Sequence, residues 1–285
     1  LLRHHRHTHT TVTVTVRPDR RGTMRAATLL LLAAATPASA FLGHGFGRGG
    51  VAGSLLTRSM FSGIIEEMGT CRSLERNPEL ELWDGSKGEG VELVIEGCNT
   101  VLDGAYDGAS IAINGVCTTV VEFDDDSFKV GLAPETLRRS NLGELTSGKP
   151  VNLERSLPAD GRNSGHFVQG HVDTTGTIRS KDFDGESLWL RVNAPPELMK
   201  LVVPKGYIAI DGTSLTVCEV NQSEGWFSVM LIAFTQMHII VPNKEVGDTV
   251  NLEADVMGKY IEASMGSLME RIETLEKKVE ELSSK

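Results

Sequence analysis

Residues 207–217 read YIAIDGTSLTV, and residues 110–120 read SIAINGVCTTV. Six of the eleven positions are identical at an offset of 97, and the differences include Asn114 for Asp211 and Cys117 for Ser214. Working outward, Phe128 matches Phe227 and VNLE at 151–154 matches VNLE at 250–253, both at an offset of 99. The second copy therefore carries two extra residues in the intervening turn. Upstream, MFSGIIEEMGT (60–70) matches FVQGHVDTTGT (167–177) at 107, which places about ten extra residues of the first copy in the 79–107 region. Three ordered matches mean duplication, and a period near 100 fits two tandem domains rather than a solenoid.

Each copy reads as strands. IAINGVCTTVVEF and IAIDGTSLTVCEV are β-branched runs with a Gly-containing turn inside, FKVGLA and FSVMLIA are largely apolar, and VNLE closes each copy after a turn. Short strands with regular turn punctuation and little helix predict an all-β fold of two homologous small closed barrels, over 60–156 and 157–258. The tail differs. From Ile261 onward, Met265, Leu268, Ile272, Leu275, Val279 and Leu282 are spaced 3-4-3-4-3 between charged residues. That heptad seam predicts an oligomerising helix over 259–285.

Residues 1–59 read as an address. Residues 1–23 are His/Thr/Arg-rich with no apolar period and are expected to lie upstream of a translation start at Met24. MRAATLLLLAAATPASA (24–40) then has a charged start, a short apolar core and an A-x-A-like end, a secretory-type signal too short to span a membrane. A Gly-rich, acid-poor stretch follows Phe41, and the whole resembles the bipartite plastid presequence of algae with secondary plastids. Plastid import is the expected destination.

Residues 1–59 carry a net charge of +7 within a chain of −10, so the body from residue 60 carries −17. A body this acidic is poorly suited to nucleic-acid phosphates, and no membrane association of the mature form is expected. The four cysteines (Cys71, Cys98, Cys117, Cys218) show no CxxC and no tight spacing, which argues against a disulfide framework or a zinc site.

Three histidines lie in the body: His166, His171 and His238. HFVQGHVD (166–173) superficially suggests a metal site, but residues five apart on a strand face opposite sides, so no metal is expected. No P-loop, dinucleotide fingerprint or nucleophile elbow is present, and a triad of Ser214, His171 and Asp255 has no local oxyanion-hole pattern. The repeated pairing is more informative. Cys117 with Thr119, and Ser214 with Thr216, place a small nucleophilic side chain and a hydroxyl two apart, hence on one strand face, in each copy.

MFSGIIE, GASIAINGVCTTV, ETLRRSNLGEL, GKPVNLERSL, SGHFVQGHVD, KGYIAIDGTSLTV and VNLEAD together resemble the riboflavin synthase family, from Met60 to about Tyr260. The resemblance implies Greek-key barrels and a transferase with no cofactor. One 6,7-dimethyl-8-ribityllumazine donates a four-carbon unit to a second, giving riboflavin and 5-amino-6-ribitylamino-2,4(1H,3H)-pyrimidinedione. It further implies a homotrimer in which the first barrel of one subunit faces the second barrel of a neighbour.

Carried over by position, one pocket comprises Gly63, Ile64, Ile65, Ser110, Cys117, Thr118, Thr119 and Gly131, Leu132, Ala133, Pro134, Glu135, Thr136, with Phe61 at the subunit contact. The other comprises Gly170, His171, Val172, Lys205, Ser214, Leu215, Thr216 and Ile232, Ala233, Phe234, Thr235, Gln236, Met237. His171 is expected to move or orient a proton, with Ser214 and Cys117 as polar or nucleophilic partners. The chain departs from the family pattern at 233–241 and at Thr118, which leaves a non-catalytic lumazine- or flavin-binding protein of the same fold as the alternative.

Overall fold

A computed structural model describes residues 60–81, 87–158 and 160–283. The presequence, the signal at 24–40 and the plastid destination expected from residues 1–59 lie outside the described residues. The strands are β1 (Glu67–Glu81), β2 (Lys87–Glu96), β3 (Ser110–Ile113), β4 (Val116–Phe123), β5 (Ser127–Leu132) and β6 (Pro150–Arg155) in the first copy. The second copy contributes β7 (Thr174–Asp184), β8 (Ser187–Asn193), β9 (Tyr207–Ile210), β10 (Thr213–Asn221), β11 (Trp226–Leu231) and β12 (Thr249–Ala254). The helices are α1 (Asn99–Leu102), α2 (Pro134–Arg139), α3 (Pro196–Met199), α4 (Ala233–His238) and α5 (Val256–Ser283).

Each copy closes into a six-stranded antiparallel barrel, β1-β2-β5-β4-β3-β6 and β7-β8-β11-β10-β9-β12, with the same ring order. The quoted stretches form the β3–β4 and β9–β10 hairpins. Their turns, Asn114-Gly115 and Asp211-Gly212, have φ of 47° and 77°, and of 43° and 81°. Two successive left-handed residues make the two-residue turn whose twist suits a hairpin. The extra residues of the first copy lengthen the β1–β2 hairpin, with strands of 15 and 10 residues against 11 and 7 for β7 and β8.

Alternation along β4 and β10 sends Val116, Thr118 and Val120, and Thr213, Leu215 and Val217, into the barrels, and turns Cys117, Thr119, Ser214 and Thr216 outward. Each interior is a separate apolar cluster, built around Leu93, Ile95, Phe128 and Leu153 in one barrel and Leu190, Ile210, Phe227 and Leu252 in the other.

Between the barrels the two hairpin turns abut. A Cβ on Gly115 would lie 2.6 Å from the Gly212 nitrogen, and one on Gly212 would lie 2.7 Å from that of Gly115. A buried amide network surrounds them: Asn152 Nδ2 donates to the Asp211 carbonyl (2.9 Å), and Asn251 Nδ2 donates to the Asn114 carbonyl (2.8 Å). The network departs from symmetry at Asp211, whose carboxylate pairs with Lys244 at 2.7 Å. Burying backbone groups of two tight turns demands partners for each of them, and the asparagines of the two VNLE strands supply them.

Helix α5 begins at Val256, three residues before the expected start, because the Asp255 side chain accepts from Met257 N at 3.0 Å and caps the first turn. Met265, Leu268, Ile272, Leu275, Val279 and Leu282 are all exposed along it.

Candidate active site

Each barrel has one outward pair of small side chains, and the segment that covers it comes from the other copy. Residues 60–65 lead into β1, yet Ser214 N donates to the Gly63 carbonyl at 2.7 Å and Ile65 packs on the second barrel's core. Residues 167–172 lead into β7, yet Cys117 N donates to the Gly170 carbonyl at 2.8 Å and Val172 packs on the first barrel's core. Gly63 and Gly170 sit at φ of 76° and 73°, and a Cβ on either would lie 2.6–2.7 Å from the Cβ of Ser214 or Cys117. A reciprocal pair of hydrogen bonds between Phe61 and Val168 (2.8 and 3.1 Å) ties the two crossing segments together.

This exchange corrects the expected grouping. Gly63, Ile64 and Ile65 belong with Ser214, and Gly170, His171 and Val172 belong with Cys117. Homologous segments in a duplicated chain occupy equivalent places, and sequence equivalence does not tell which of two equivalent places each one takes. Phe61, expected at a subunit contact, is instead fully buried between the barrels with Ala112, Val168 and Ala209.

The first site is a cleft of about 230 Å³ lined by Val116, Cys117, Glu135, Thr136, Arg139, Ser140, Gly170, His171 and Val172. Burial pushes the Cys117 thiol above its ordinary range, with Ser110 opposing the shift more weakly, so at neutral pH it is a neutral polar group rather than a thiolate. His171 is exposed at the cleft. Glu135, on α2, accepts from Arg138 and Arg139 (2.5 and 2.8 Å), bonds that hold its carboxyl below the usual range. Ala133 precedes α2, Pro134 opens it, and Gly131 lies half-buried on β5.

At the second site His166 Nδ1 lies 2.7 Å from Ser214 Oγ, and its ring stacks on Tyr207 at 5.2 Å and 6°. Burial lowers the His166 pKa, which leaves a neutral imidazole beside the hydroxyl, and its Nε2 has no hydrogen-bond partner among the described residues. The imidazole at Ser214 is therefore His166, not His171. On α4, Phe234 stacks on His238 at 4.2 Å, while Gln236 Nε2 donates to the carbonyls of Glu186 and Leu231 (2.7 and 2.9 Å). Ile232, Ala233 and Met237 are exposed and Thr235 is half-buried.

Three expected lining residues turn away. Thr118, Leu215 and Leu132 point into the barrels, and Thr118 Oγ1 donates to the Ile111 carbonyl at 2.8 Å, which accommodates the hydroxyl in an apolar interior. Thr119, Thr216 and Lys205 are exposed, Lys205 in a left-handed conformation with φ 66°. Two buried carboxylates were not singled out in the sequence. Glu154 accepts from Ser62 N (2.7 Å), Ser62 Oγ (2.8 Å) and Gly63 N (3.0 Å), and Glu253 accepts from Gln169 N (2.7 Å) and His171 N (2.9 Å). Burial raises both pKa values, that of Glu154 to about 7. Their signal was visible, since each is the charged end of the repeated VNLE.

The lumazine binding domain family matches residues 62–156 and again 169–255. The riboflavin synthase of Meyerozyma guilliermondii is 46% identical over 206 residues, covering 71% of this chain and 84% of that protein. The chain belongs to the riboflavin synthase family. Within that family, the Bacillus subtilis enzyme is 39% identical over 202 residues, covering 71% of this chain and 88% of its own length. Among solved structures, LumP in complex with riboflavin aligns with a TM-score of 0.60 at 20% identity, over 68% of this chain and 99% of LumP. That likeness is one of fold, and it shows that a riboflavin synthase barrel pair and LumP share an architecture.

Proposed function

We propose that the chain dismutates two molecules of 6,7-dimethyl-8-ribityllumazine into riboflavin and 5-amino-6-ribitylamino-2,4(1H,3H)-pyrimidinedione. The observation that carries this reading is the pair of equivalent outward sites, Cys117 under Gly170 and Ser214 under Gly63. A reaction between two copies of one substrate needs two similar pockets, and the duplicated barrels supply them. The donor must lose a proton from its C7 methyl, whose anion is delocalised into the ring. Neutral His166, bonded to Ser214, is poised to take or relay such a proton, and His171 supplies an imidazole at the other site. Most of the rate comes from holding two rings in register, which makes a bimolecular step effectively intramolecular.

The exposed seam of α5 supports self-association, and a homotrimer joining the first barrel of one subunit to the second of the next brings a Cys117 site to a Ser214 site. Sedimentation at a mass of two chains would exclude the trimer. The basic, signal-like residues 1–59 support plastid import, which a fluorescent fusion of those residues tests by where it accumulates.

The deciding experiment mixes the chain with the lumazine and no added cofactor. Riboflavin and the pyrimidinedione formed in equal amounts confirm the dismutase. Lumazine bound at one site per chain without turnover identifies a binding protein instead.

A further inference from the structure

We propose that Glu154 and Glu253 are crosswise positioning residues: each belongs to one barrel and sets the geometry of the other barrel's site. Glu154 lies on β6 of the first barrel and Glu253 on β12 of the second, opposite Ala112 and Ala209 across the ladder. Both are almost wholly buried, at 4% and 2% exposure. Among the described residues neither carboxylate has an arginine or lysine hydrogen-bonded to it, and what each grips is mainly backbone. Glu154 receives the amides of Ser62 and Gly63, and the Gly63 carbonyl in turn receives Ser214 N. Glu253 receives the amides of Gln169 and His171, and the intervening Gly170 carbonyl receives Cys117 N.

These amides belong to segments in irregular conformation, with no strand ladder to satisfy them. A buried carboxylate with two oxygens supplies two divergent acceptors at once, which a neutral amide side chain cannot do without turning an N–H toward one of the donors. Retaining a buried charge costs desolvation, and burial is the largest influence on both groups. Its recurrence at the same point of both copies therefore calls for a local task, and the task the geometry shows is holding Gly63 against Ser214 and His171 beside Cys117. The charges facing them differ: Glu66 stands near Glu154, whereas Lys259 of α5 and Asp173 stand near Glu253. Lys259 itself pairs with Asp173 at 2.7 Å, so the root of α5 also braces the His171 segment.

The inference rests on the dismutase reading for its assay, and the test is a set of double-mutant cycles on the full chain with 6,7-dimethyl-8-ribityllumazine. Glu154→Gln is expected to lower kcat about tenfold alone, less than twofold in a Ser214→Ala background, and the full tenfold in a Cys117→Ala background, because residues acting through one contact are non-additive. Glu253→Gln is expected to show the reverse pattern, coupled to Cys117 and independent of Ser214. A purely structural role would leave each glutamate equally additive with both partners. Coupling within a glutamate's own barrel, equal coupling to both, or wild-type kcat would overturn the proposal. Should Glu154→Gln fail to fold, Ser62→Ala removes one bond to Glu154 and must show the same selective coupling to Ser214. A wild-type chain that forms no riboflavin defeats the dismutase reading alone. The same cycles are then read on riboflavin affinity by fluorescence quenching, with the same crosswise pattern required.

Discussion

At Cys117 the first barrel presents a protonated thiol, an exposed imidazole at His171 and a helix whose Glu135 is locked to two arginines. At Ser214 the second presents a hydroxyl bonded to a buried imidazole, a tyrosine stacked on that imidazole, and a helix bearing a Phe234–His238 stack. The ring of strands, the left-handed turns and the covering glycines are common to both. Duplication thus preserved the frame that places two substrates and diversified the groups that would treat them differently. A reaction in which one substrate gives and its twin receives requires that division.

The sharpest break of this near-symmetry is stability at the central turns. Lys244→Met leaves the Asp211 carboxylate buried without its cation, and a loss of about 4 kcal/mol in urea unfolding is expected. Adding Asp211→Asn makes the second turn resemble the first, at Asn114, and should recover most of that loss. If it does not, Lys244 stabilises through its bond to the Thr249 carbonyl instead.

Next comes pH. Glu154 binds its proton more tightly in the folded chain than in the unfolded one, so its contribution is present below pH 4.5 and lost as pH rises to about 7. Glu154→Gln should remove a slope on the order of 3 kcal/mol across that window. Glu253→Gln should remove less, since Lys259 favours the charged form there. Equal slopes in the two variants would mean that the neighbouring charges do not distinguish the sites.

Turnover provides a comparison of the sites themselves. Ser214→Ala should reduce kcat about 100-fold with melting temperature nearly unchanged, and His166→Ala should reduce it as much with some loss of stability, since its ring is buried against Tyr207. Cys117→Ala should cost about tenfold, because a protonated thiol contributes one weak polar contact. The opposite ranking would move the proton-handling role to the first barrel. The smallest effect on the barrels themselves is expected from the tail: Ile272→Lys, in the exposed seam, should lower the assembled mass in sedimentation while leaving each barrel folded, and turnover should fall in step with that mass.

The duplicated barrels and the outward pairs were legible because strand alternation and turn chemistry are local, and two copies of IAI-N/D-G confirm one another. The exchange of covering segments was not. FSGII and VQGHV are equally able to lie on either barrel, and only the length and path of the connecting chain decide between them. His166 was set aside because strand alternation puts it and His171 on opposite faces, and its actual partner, Ser214, lies 48 residues away. Glu154 and Glu253 sat within a quoted repeat, yet a glutamate closing a strand reads as a solvent-facing end until its burial is known.

Tandem copies within a gene are usually free to drift apart, to be deleted or to be traded for another module. Here each copy carries a strip of chain that completes its sibling's pocket, through Gly63 at Ser214 and Gly170 at Cys117. Deleting either copy would leave the survivor uncovered at its own site. The arrangement acts as a ratchet on the gene's history: once the strips had crossed, neither half could be given up without disabling the other, and the lineage was committed to the pair.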